Sequence, residues 1–341
     1  MSDPIVWTAD ERRAAGTHTA RFMRDHGAGS YQELVDRSQR DPETFWDAVV
    51  RYLGIPFVTP YQTVMEAERG PEWATWFTDG TLNLSAACAD RWAGETPDGL
   101  ALISEHEDGK STSLTFAQLT DRVSRLAGGL VRLGVDQGDA VAVFLPMSSQ
   151  AVIALLAVAR IGAIFIPIFS GYAPHAVARR LEDPRPKVLI CADGFTRRGR
   201  PVEMKEVADE AAEIAGGIER MVVADYARRS SVPWRSGRDV AWSEAASADP
   251  LEYRPVPAEH PFMVAYTSGT TGRPKGAVHV HGGFTVKVAQ EGAFCMDVHP
   301  GDRFLWATDM GWIMGPWTTV AALANGSTLV TYDGAPDHPD P

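Results

Sequence analysis

The sequence predicts an α/β fold in which mainly parallel β-sheets are layered with helices. Three observations support this prediction: strand-length apolar runs recur between residues 100 and 266, stretches with helical periodicity separate them, and Gly, Pro or Asp residues bound both kinds of element. Strands that alternate with helices form parallel sheets covered on both faces, because each connecting helix packs back onto the sheet.

Local capping and turn signals predict the first elements. Asp41 precedes Pro42, so a capping carboxylate stands before a residue suited to the first helical position. Asp108-Gly109 separates the apolar runs at 101–105 and 113–116, and this dipeptide is typical of a tight β-hairpin turn. We therefore expect a helix that begins at Pro42 and a hairpin centred on Asp108-Gly109.

From residue 119 onward, apolar residues recur at regular spacing. Leucine and valine recur at 4-3-4-3 spacing from Leu119 to Leu133, which gives a helix one apolar face, and Gly134 is placed to end it. Residues 226–260 are interpreted as a loop-rich connection. The other expected elements are a strand at 140–145, a helix–strand unit at 151–169, a helix opening at Pro174, a strand at 187–191, a helix at 203–215, and strands at 221–224 and 262–266.

The apolar stretch 151–169 has the length of a membrane span but not its composition. Arg160 lies at its centre, and an arginine in the middle of a bilayer costs roughly 2.5–3.5 kcal/mol. Gly162 and Pro167 divide the stretch into a helix-like and a strand-like half. We therefore expect a buried helix–strand unit and no membrane association.

Charge and cysteine content narrow the class of protein. The 341 residues contain 32 Lys plus Arg against 44 Asp plus Glu, a net charge of −12, which disfavours nucleic acid as a partner. The three cysteines are odd in number and far apart, so neither a disulfide framework nor a CxxC metal pair is predicted. The N-terminus shows no basic start followed by an apolar run, and we expect a cytoplasmic protein.

The strand at 262–266 is followed by a row of hydroxyl-bearing residues and glycines that includes a single lysine near its end. The glycines let backbone N–H groups approach a ligand and form an anion-binding nest, and the hydroxyls and the lysine add hydrogen bonds and a positive charge. We predict that this segment binds phosphate through Thr267, Ser268, Gly269, Thr270, Thr271, Gly272 and Lys275.

The same composition also suits a flexible surface turn that binds nothing. The segment is not a Walker loop, because glycine rather than Ser or Thr follows Lys275. A nearer match to the Walker pattern, Gly109-Lys110-Ser111, has Ser104 where the first glycine is needed, so we interpret it as a hairpin tip.

The string 266–276 resembles the phosphate-loop signature of the adenylate-forming family, which includes acyl-CoA synthetases, peptide-synthetase adenylation domains and luciferases. The resemblance implies the large N-terminal domain of the adenylate-forming synthetase fold. Further segments are similar to the family, or to its branch of acetyl-CoA synthetase and short-chain relatives, in the same order: 41–46, 114–119, 138–143, 159–167, 169–174, 278–283, 299–302 and 309–315.

The resemblance also implies a domain organisation. It assigns an N-terminal extension of acetyl-CoA synthetase type to 1–85 and the first part of the AMP-binding domain to 86–341. The family's adenine-contacting Thr-Glu loop, ribose-binding aspartate, hinge and C-terminal lid domain with its adenylation lysine have no counterpart before Pro341. We therefore expect a truncated synthetase with little turnover by itself and an exposed apolar surface that favours oligomerisation.

The reaction implied by the resemblance has two steps and needs ATP with Mg²⁺, CoA and a small carboxylic acid such as acetate. The carboxylate first takes the adenylate from ATP and releases pyrophosphate, and the CoA thiol then displaces AMP to form a thioester. The protein mainly positions the reactants and neutralises developing charge, while Mg²⁺ bridges phosphates. We assign no catalytic residue and no protein-held metal site to this chain.

The CoA contacts implied by the resemblance are Arg197, Arg200 and Asp337. Two arginines three positions apart match the branch's CoA-nucleotide site, where a planar guanidinium binds phosphate and stacks on adenine. Arg198 is then an extra basic neighbour, and a solvated basic loop is the alternative. Asp337 stands where the branch often has Asn, so its charge would oppose the CoA phosphates.

The implied acyl pocket is Trp312, Ile313, Met314 and Gly315. The branch usually has threonine at the position of Met314, and the longer, adaptable methionine would narrow the pocket or reshape it for another acid. The alternative is that these four are core residues without a role in binding.

His279 and His281 alternate as residues on one face of a strand do. No third metal ligand is evident, so we expect packing or hydrogen bonding for both. Two classes of function stay open: an ATP-dependent acyl-CoA synthetase, and a non-catalytic nucleotide- or CoA-binding piece that acts by association. Continuation of the coding sequence past Pro341 into the missing motifs would favour the first.

Overall fold

The computed structural model describes residues 8–267 and 274–338. Within them, twelve α-helices occur in chain order. They are Glu11–Gly16 (α1), His18–Asp25 (α2), Tyr31–Arg40 (α3), Pro42–Leu53 (α4), Arg91–Glu95 (α5), Phe116–Arg132 (α6), Ser149–Ile161 (α7), Pro174–Glu182 (α8), Met204–Ala215 (α9), Trp242–Ala245 (α10), His281–Met296 (α11) and Met314–Leu323 (α12).

Eighteen strands, most of them short, complete the described part of the fold. They are Phe57–Thr59 (β1), Thr63–Glu66 (β2), Thr75–Thr78 (β3), Thr81–Leu82 (β4), Leu100–Glu105 (β5), Ser111–Thr115 (β6), Ala140–Phe144 (β7), Ile164–Pro167 (β8), Val188–Ala192 (β9), Phe195–Arg197 (β10), Arg200–Val202 (β11), Arg220–Ala224 (β12), Asp239–Ala241 (β13), Val256–Pro257 (β14), Pro261–Thr267 (β15), Lys275–Val280 (β16), Arg303–Leu305 (β17) and Thr328–Tyr332 (β18).

Two larger sheets organise these strands. One has the order β13-β12-β9-β7-β8-β15-β16, in which the first six strands are parallel and β16 runs antiparallel to β15 at an outer edge. The other, β17-β18-β5-β6, is parallel except for the hairpin of β5 and β6. Helices alternate with the parallel strands along the chain, which confirms the predicted α/β fold.

The capping and turn signals act as predicted. Helix α4 begins at Pro42, and the carboxylate of Asp41 accepts the backbone N–H of Thr44. The β5–β6 hairpin turns at Gly109, whose φ of 79° is available to glycine at little cost. Thr115 and Gln118 form a reciprocal capping box at the start of α6, which was not predicted.

Helix α7 is buried between layers and, apart from Arg160, is apolar from residue 151 to residue 161. It contacts α6 and the strands β5, β7 and β8, which belong to both larger sheets, and every residue from Ala151 to Ile161 is buried. Arg160 lies inside this core, where its Nη1 pairs with the carboxylate of Asp90 at 2.7 Å. In the part of the chain that the structure describes, no helix combines the length and the apolar character needed to cross a bilayer.

Residues of the predicted N-terminal extension pack against later parts of the chain. Strand β4 pairs with both β1 and β14, and the rings of Phe22 and Phe294 lie 4.9 Å apart between centroids. The side-chain amide of Asn83 donates to the carbonyls of Ala159 and Arg254. These contacts connect the extension to the α/β layers, and the boundary at residue 85 stays a prediction.

The prediction that His279 and His281 share one face of a strand is wrong. Strand β16 ends at Val280, and His281 is the first residue of α11. Its side chain is fully buried, and its Nδ1 accepts the N–H of Leu84. Among residues 8–267 and 274–338, no group of three His, Cys, Asp or Glu side chains is arranged to hold a metal ion.

We expect His281 to make the fold acid-sensitive. Burial, and secondarily the nearby His260, lower the pKa of His281 from its ordinary value of 6.5 to about 3. The unfolded chain therefore binds a proton below pH 6.5 that the native state excludes, and stability falls by up to about 1.4 kcal/mol per pH unit between pH 6.5 and 3.

Urea unfolding at several pH values measures this contribution. His281→Asn keeps an acceptor for the Leu84 N–H but cannot be protonated, so its acid slope should be flatter than that of the wild type. His175→Asn, at an exposed position, is the control and should keep the wild-type slope. Equal slopes for all three proteins would contradict the expectation.

Candidate functional site

The segment predicted to bind phosphate connects β15 to β16 at the edge of the seven-stranded sheet. Thr267 and Lys275 face each other as the last described pair of this hairpin, and both are exposed. The Lys275 ammonium has no hydrogen-bonded or ion-paired partner within the described ranges. The other predicted phosphate-binding residues, Ser268, Gly269, Thr270, Thr271 and Gly272, lie outside the described residues.

Packing restricts the size of the residue at position 276 of this hairpin, independently of any ligand. Tyr266 stands opposite Gly276, and a Cβ on Gly276 would lie 3.3 Å from the Tyr266 ring and 2.7 Å from Val264 Cγ1. A larger residue at Gly276 would displace one of these neighbours. The final glycine of the motif is therefore explained in part by the fold.

Strands β10 and β11 present the two arginines predicted to bind CoA. Their turn is Arg198-Gly199, with φ of 52° and 67°, and this places Arg197 directly opposite Arg200. Both guanidinium groups are exposed, and neither has a hydrogen-bonded partner in the described structure. Like charges that face each other across a strand pair repel, so an anion bound between them would stabilise the hairpin.

Acidic side chains hold the tip of this hairpin. The Glu107 carboxylate accepts the N–H groups of Arg198, Gly199 and Ala335. Desolvation acts to raise the pKa of Glu107, but these N–H donors outweigh it and the pKa is lowered. Asp337 pairs with Arg198, with 2.7 Å between Nη2 and Oδ2, so its charge is directed at the extra arginine rather than at Arg197 or Arg200.

A cavity of about 390 Å³ lies beside the hairpin. Two of the predicted site residues, Arg197 and Trp312, line it. Arg200, Asp337, Ile313, Met314 and Gly315 do not line it. The lining residues are Met147, Phe169, Arg197, Ala307, Thr308, Asp309, Trp312, Tyr332, Asp333, Gly334 and Pro336.

Asp309 connects two loops at this cavity. Its carboxylate accepts the N–H and the hydroxyl of Ser170 and the N–H of Gly311. Burial raises the pKa of Asp309, while these hydrogen bonds and the positive charge of Arg197 oppose the rise. The loop before α8 and the loop before α12 are therefore held together by one buried carboxyl group.

The four residues predicted to form the acyl pocket lie in different environments. Trp312 is 57% exposed and meets Phe169 edge-to-face at 5.6 Å, and Ile313 is 41% exposed. Met314 is half-buried at the start of α12. Gly315 is buried, and a Cβ there would lie 2.6 Å from the Asp309 carbonyl. Core packing therefore explains Gly315, and the acyl-pocket assignment stays a prediction.

A polar cluster at the end of β18 was not predicted. The Tyr226 hydroxyl donates to Asp333 Oδ2 at 2.6 Å, and His106 Nδ1 lies 3.0 Å from the same oxygen. Burial and the charge of Asp333 raise the pKa of Tyr226, so its hydroxyl stays protonated. All three residues line a wider polar cleft of about 600 Å³, and Asp333 also lines the cavity described above. Asp333 is 107 positions from Tyr226 and 227 positions from His106 in the chain, so no local sequence pattern predicts the cluster.

Two family models match the chain. The model of the AMP-binding enzyme family matches residues 89–341, and that of the acetyl-coenzyme A synthetase N-terminus matches residues 31–88.

Individual proteins show the same similarity. An acetyl-coenzyme A synthetase from Streptomyces avermitilis is 40% identical over 315 residues, covering 90% of this chain and 47% of that protein. One from Streptomyces coelicolor is 42% identical over 314 residues, with coverage of 90% and 47%. A solved acetoacetyl-CoA synthetase from Streptomyces lividans matches with a TM-score of 0.90 at 33% identity, covering 98% of this chain and 52% of that one. The chain spans about half the length of the curated relatives it matches.

Proposed function

The chain belongs to the AMP-binding enzyme family, and on that premise we propose that it acts in the ATP-dependent synthesis of an acyl-CoA from a short-chain carboxylic acid. The observation that carries this proposal is the pairing of Thr267 with Lys275, the residues on either side of 268–274. The Lys275 ammonium has no described partner, and the Thr267 hydroxyl donates to the Lys275 carbonyl at 3.5 Å. These two residues stand together at the end of a sheet hairpin, as a phosphate site requires.

In the proposed first step, a carboxylate oxygen bonds to the α-phosphorus of ATP. The bond from that phosphorus to the bridging oxygen breaks, and pyrophosphate leaves. Lys275 neutralises charge on the β- and γ-phosphates, together with the hydroxyls and backbone N–H groups of 267–272. Mg²⁺ arrives with ATP as part of the substrate.

In the proposed second step, the CoA sulfur, its proton lost to solvent, attacks the acyl carbon. The bond from that carbon to the phosphate oxygen breaks, and AMP leaves with the bonding electrons. Arg197 and Arg200 bind phosphates of the CoA nucleotide, since the two residues stand opposite each other across the hairpin and both are exposed. Asp337 contributes indirectly by pairing with Arg198. Trp312, Ile313, Met314 and Gly315 contact the acyl group, with Met314 setting its size.

Lys275→Ala tests the phosphate assignment. Removal of the ammonium should weaken MgATP binding by about 1.5–3 kcal/mol, which is a factor of roughly 10 to 160, because a charge-assisted contact to phosphate is lost. Isothermal titration calorimetry measures the effect. Lys110→Ala is the matched control, since Lys110 is an exposed hairpin lysine that pairs with Asp108, and this variant should bind MgATP as the wild type does.

Equal affinities of Lys275→Ala and wild type would show that the phosphate assignment is wrong. Carboxylate-dependent ATP–pyrophosphate exchange on the same proteins, with acids from acetate to octanoate, tests the reaction. Exchange by the wild type above the Lys275→Ala level would identify the acid and support the synthetase proposal. Absence of exchange with every acid would agree with the expectation that these 341 residues have little turnover by themselves, and would leave the acid unidentified.

A further inference from the structure

The last two residues of β15 project beyond the strand beside it. Parallel pairing places Met263 opposite Phe165 of β8, and β8 ends at Pro167, two residues later. Tyr266 and Thr267 therefore extend past β8, and among the described strands only β16 pairs with them. Residues 268–273 continue from this projecting end.

One side chain connects the projecting end to the helical layer. The Tyr266 hydroxyl donates to Asp183 Oδ2 at 2.6 Å, and Asp183 directly follows α8. The Tyr266 ring lies against Gly276 on the facing strand. Desolvation and the bond to Asp183 raise the pKa of Tyr266, so the hydroxyl remains a donor at neutral pH.

Helix α8, which Asp183 directly follows, is packed into the fold. Val177, Ala178 and Leu181 bury its inner face. The buried Arg180 donates to the hydroxyl of Tyr172, and its guanidinium lies 4.1 Å from the centre of that ring. The inner face of α8 is therefore packed, and Tyr172 before the helix is bonded to Arg180 near its end. Asp183 follows directly on this packed helix.

We propose that Tyr266 is a positioning residue for phosphate binding, with Asp183 as its anchor. The hydrogen bond fixes the projecting end of β15, and with it the places of Thr267 and Lys275. This inference rests on the proposed function, because the ligand is the polyphosphate of ATP. Without the bond, the binding geometry is populated for a smaller fraction of time, and the apparent affinity falls by that fraction.

Calorimetric titration of the whole chain with MgATP and with magnesium tripolyphosphate tests the proposal. Tyr266→Phe removes only the hydroxyl, and we expect binding of both ligands to weaken about five- to tenfold. Asp183→Ala should cause the same loss, and the double variant should be no weaker than either single variant. Asp183→Asn keeps an acceptor oxygen and should restore most of the affinity.

A second tyrosine–aspartate pair provides the matched control. Tyr61 donates to Asp47 Oδ1 at the same 2.6 Å in the N-terminal part of the chain, so Tyr61→Phe removes equivalent chemistry. We expect it to leave MgATP affinity unchanged. CoA affinity should stay at the wild-type level in Tyr266→Phe.

Four results would overturn the inference. Unchanged MgATP affinity in Tyr266→Phe would show that the hydroxyl positions nothing. Parallel weakening of MgATP and CoA binding, or an equal loss in Tyr61→Phe, would show general destabilisation. Failure of the wild type itself to bind MgATP would remove the proposed function and this inference with it.

Discussion

Replacement of Arg160 by methionine is expected to lower the free energy of unfolding by about 3–5 kcal/mol. The Arg160 side chain is 3% exposed, and its Nη1 contacts both carboxylate oxygens of Asp90 at 2.7 and 2.9 Å. Its Nε also donates to the carbonyl of Leu251. Methionine fills similar space, but it leaves the Asp90 carboxylate and this carbonyl without their donor in a poorly solvated site.

Urea denaturation followed by far-UV circular dichroism measures this loss. The double variant Arg160→Met, Asp90→Leu removes both charges and should recover a large part of the stability, since the cost comes from the uncompensated partner. Arg125→Ala breaks the exposed Arg125–Asp121 pair and should cost no more than about 1 kcal/mol. An Arg160→Met protein as stable as the wild type would contradict the expectation.

Gly311→Ala is expected to destabilise the chain by about 3 kcal/mol or more, at or above the upper end for overpacking. A Cβ on Gly311 would lie 2.0 Å from the backbone N of Phe169 and 2.2 Å from its Cα, so neither side can yield by rotating a side chain. The two loops must separate, which breaks the hydrogen bonds from Ser170 to Asp309. The cavity lined by Arg197 and Trp312 would open with them.

The same substitution at Gly94 is the control. Gly94 is within α5 and has no neighbour within 4 Å of an added Cβ, so alanine there should be neutral or stabilising by up to about 1 kcal/mol. Thermal unfolding of both variants, with CoA titration of each, measures the outcome. If Gly311→Ala keeps the stability and the CoA affinity of the wild type, the two loops move apart without a cost in free energy and the expectation is wrong.

The sequence predicts the fold well where local signals agree with burial. The family and the α/β fold class are confirmed, and Asp41 caps the start of α4 as expected. His281 is the exception, because Val-His-Val-His continues the alternation of a strand while Val280 offers no side-chain cap to mark the helix start. The short elements β13, α10 and β14 lie within the predicted loop-rich connection and lack a strong period.

The candidate site is predictable only in part. The spacing of Arg197 and Arg200 suits a two-residue turn, and the structure places them opposite each other. The partners of Asp309 and Asp337 could not be predicted, because each pair is 139 positions apart in the chain. Long-range hydrogen bonds of this kind leave no periodic pattern, since each depends on how separate layers pack.

The open edge of β16 has a consequence for hydrogen–deuterium exchange. Successive N–H groups of an antiparallel strand face its partner and then face away, so alternate amides of Lys275–Val280 lack a described acceptor on the outer side. Amides bonded to β15 exchange only when the hairpin opens, whereas the outward set exchanges freely. If exchange slows at the outward-facing amides alone, a further strand, from any source, has paired with β16 on its open side.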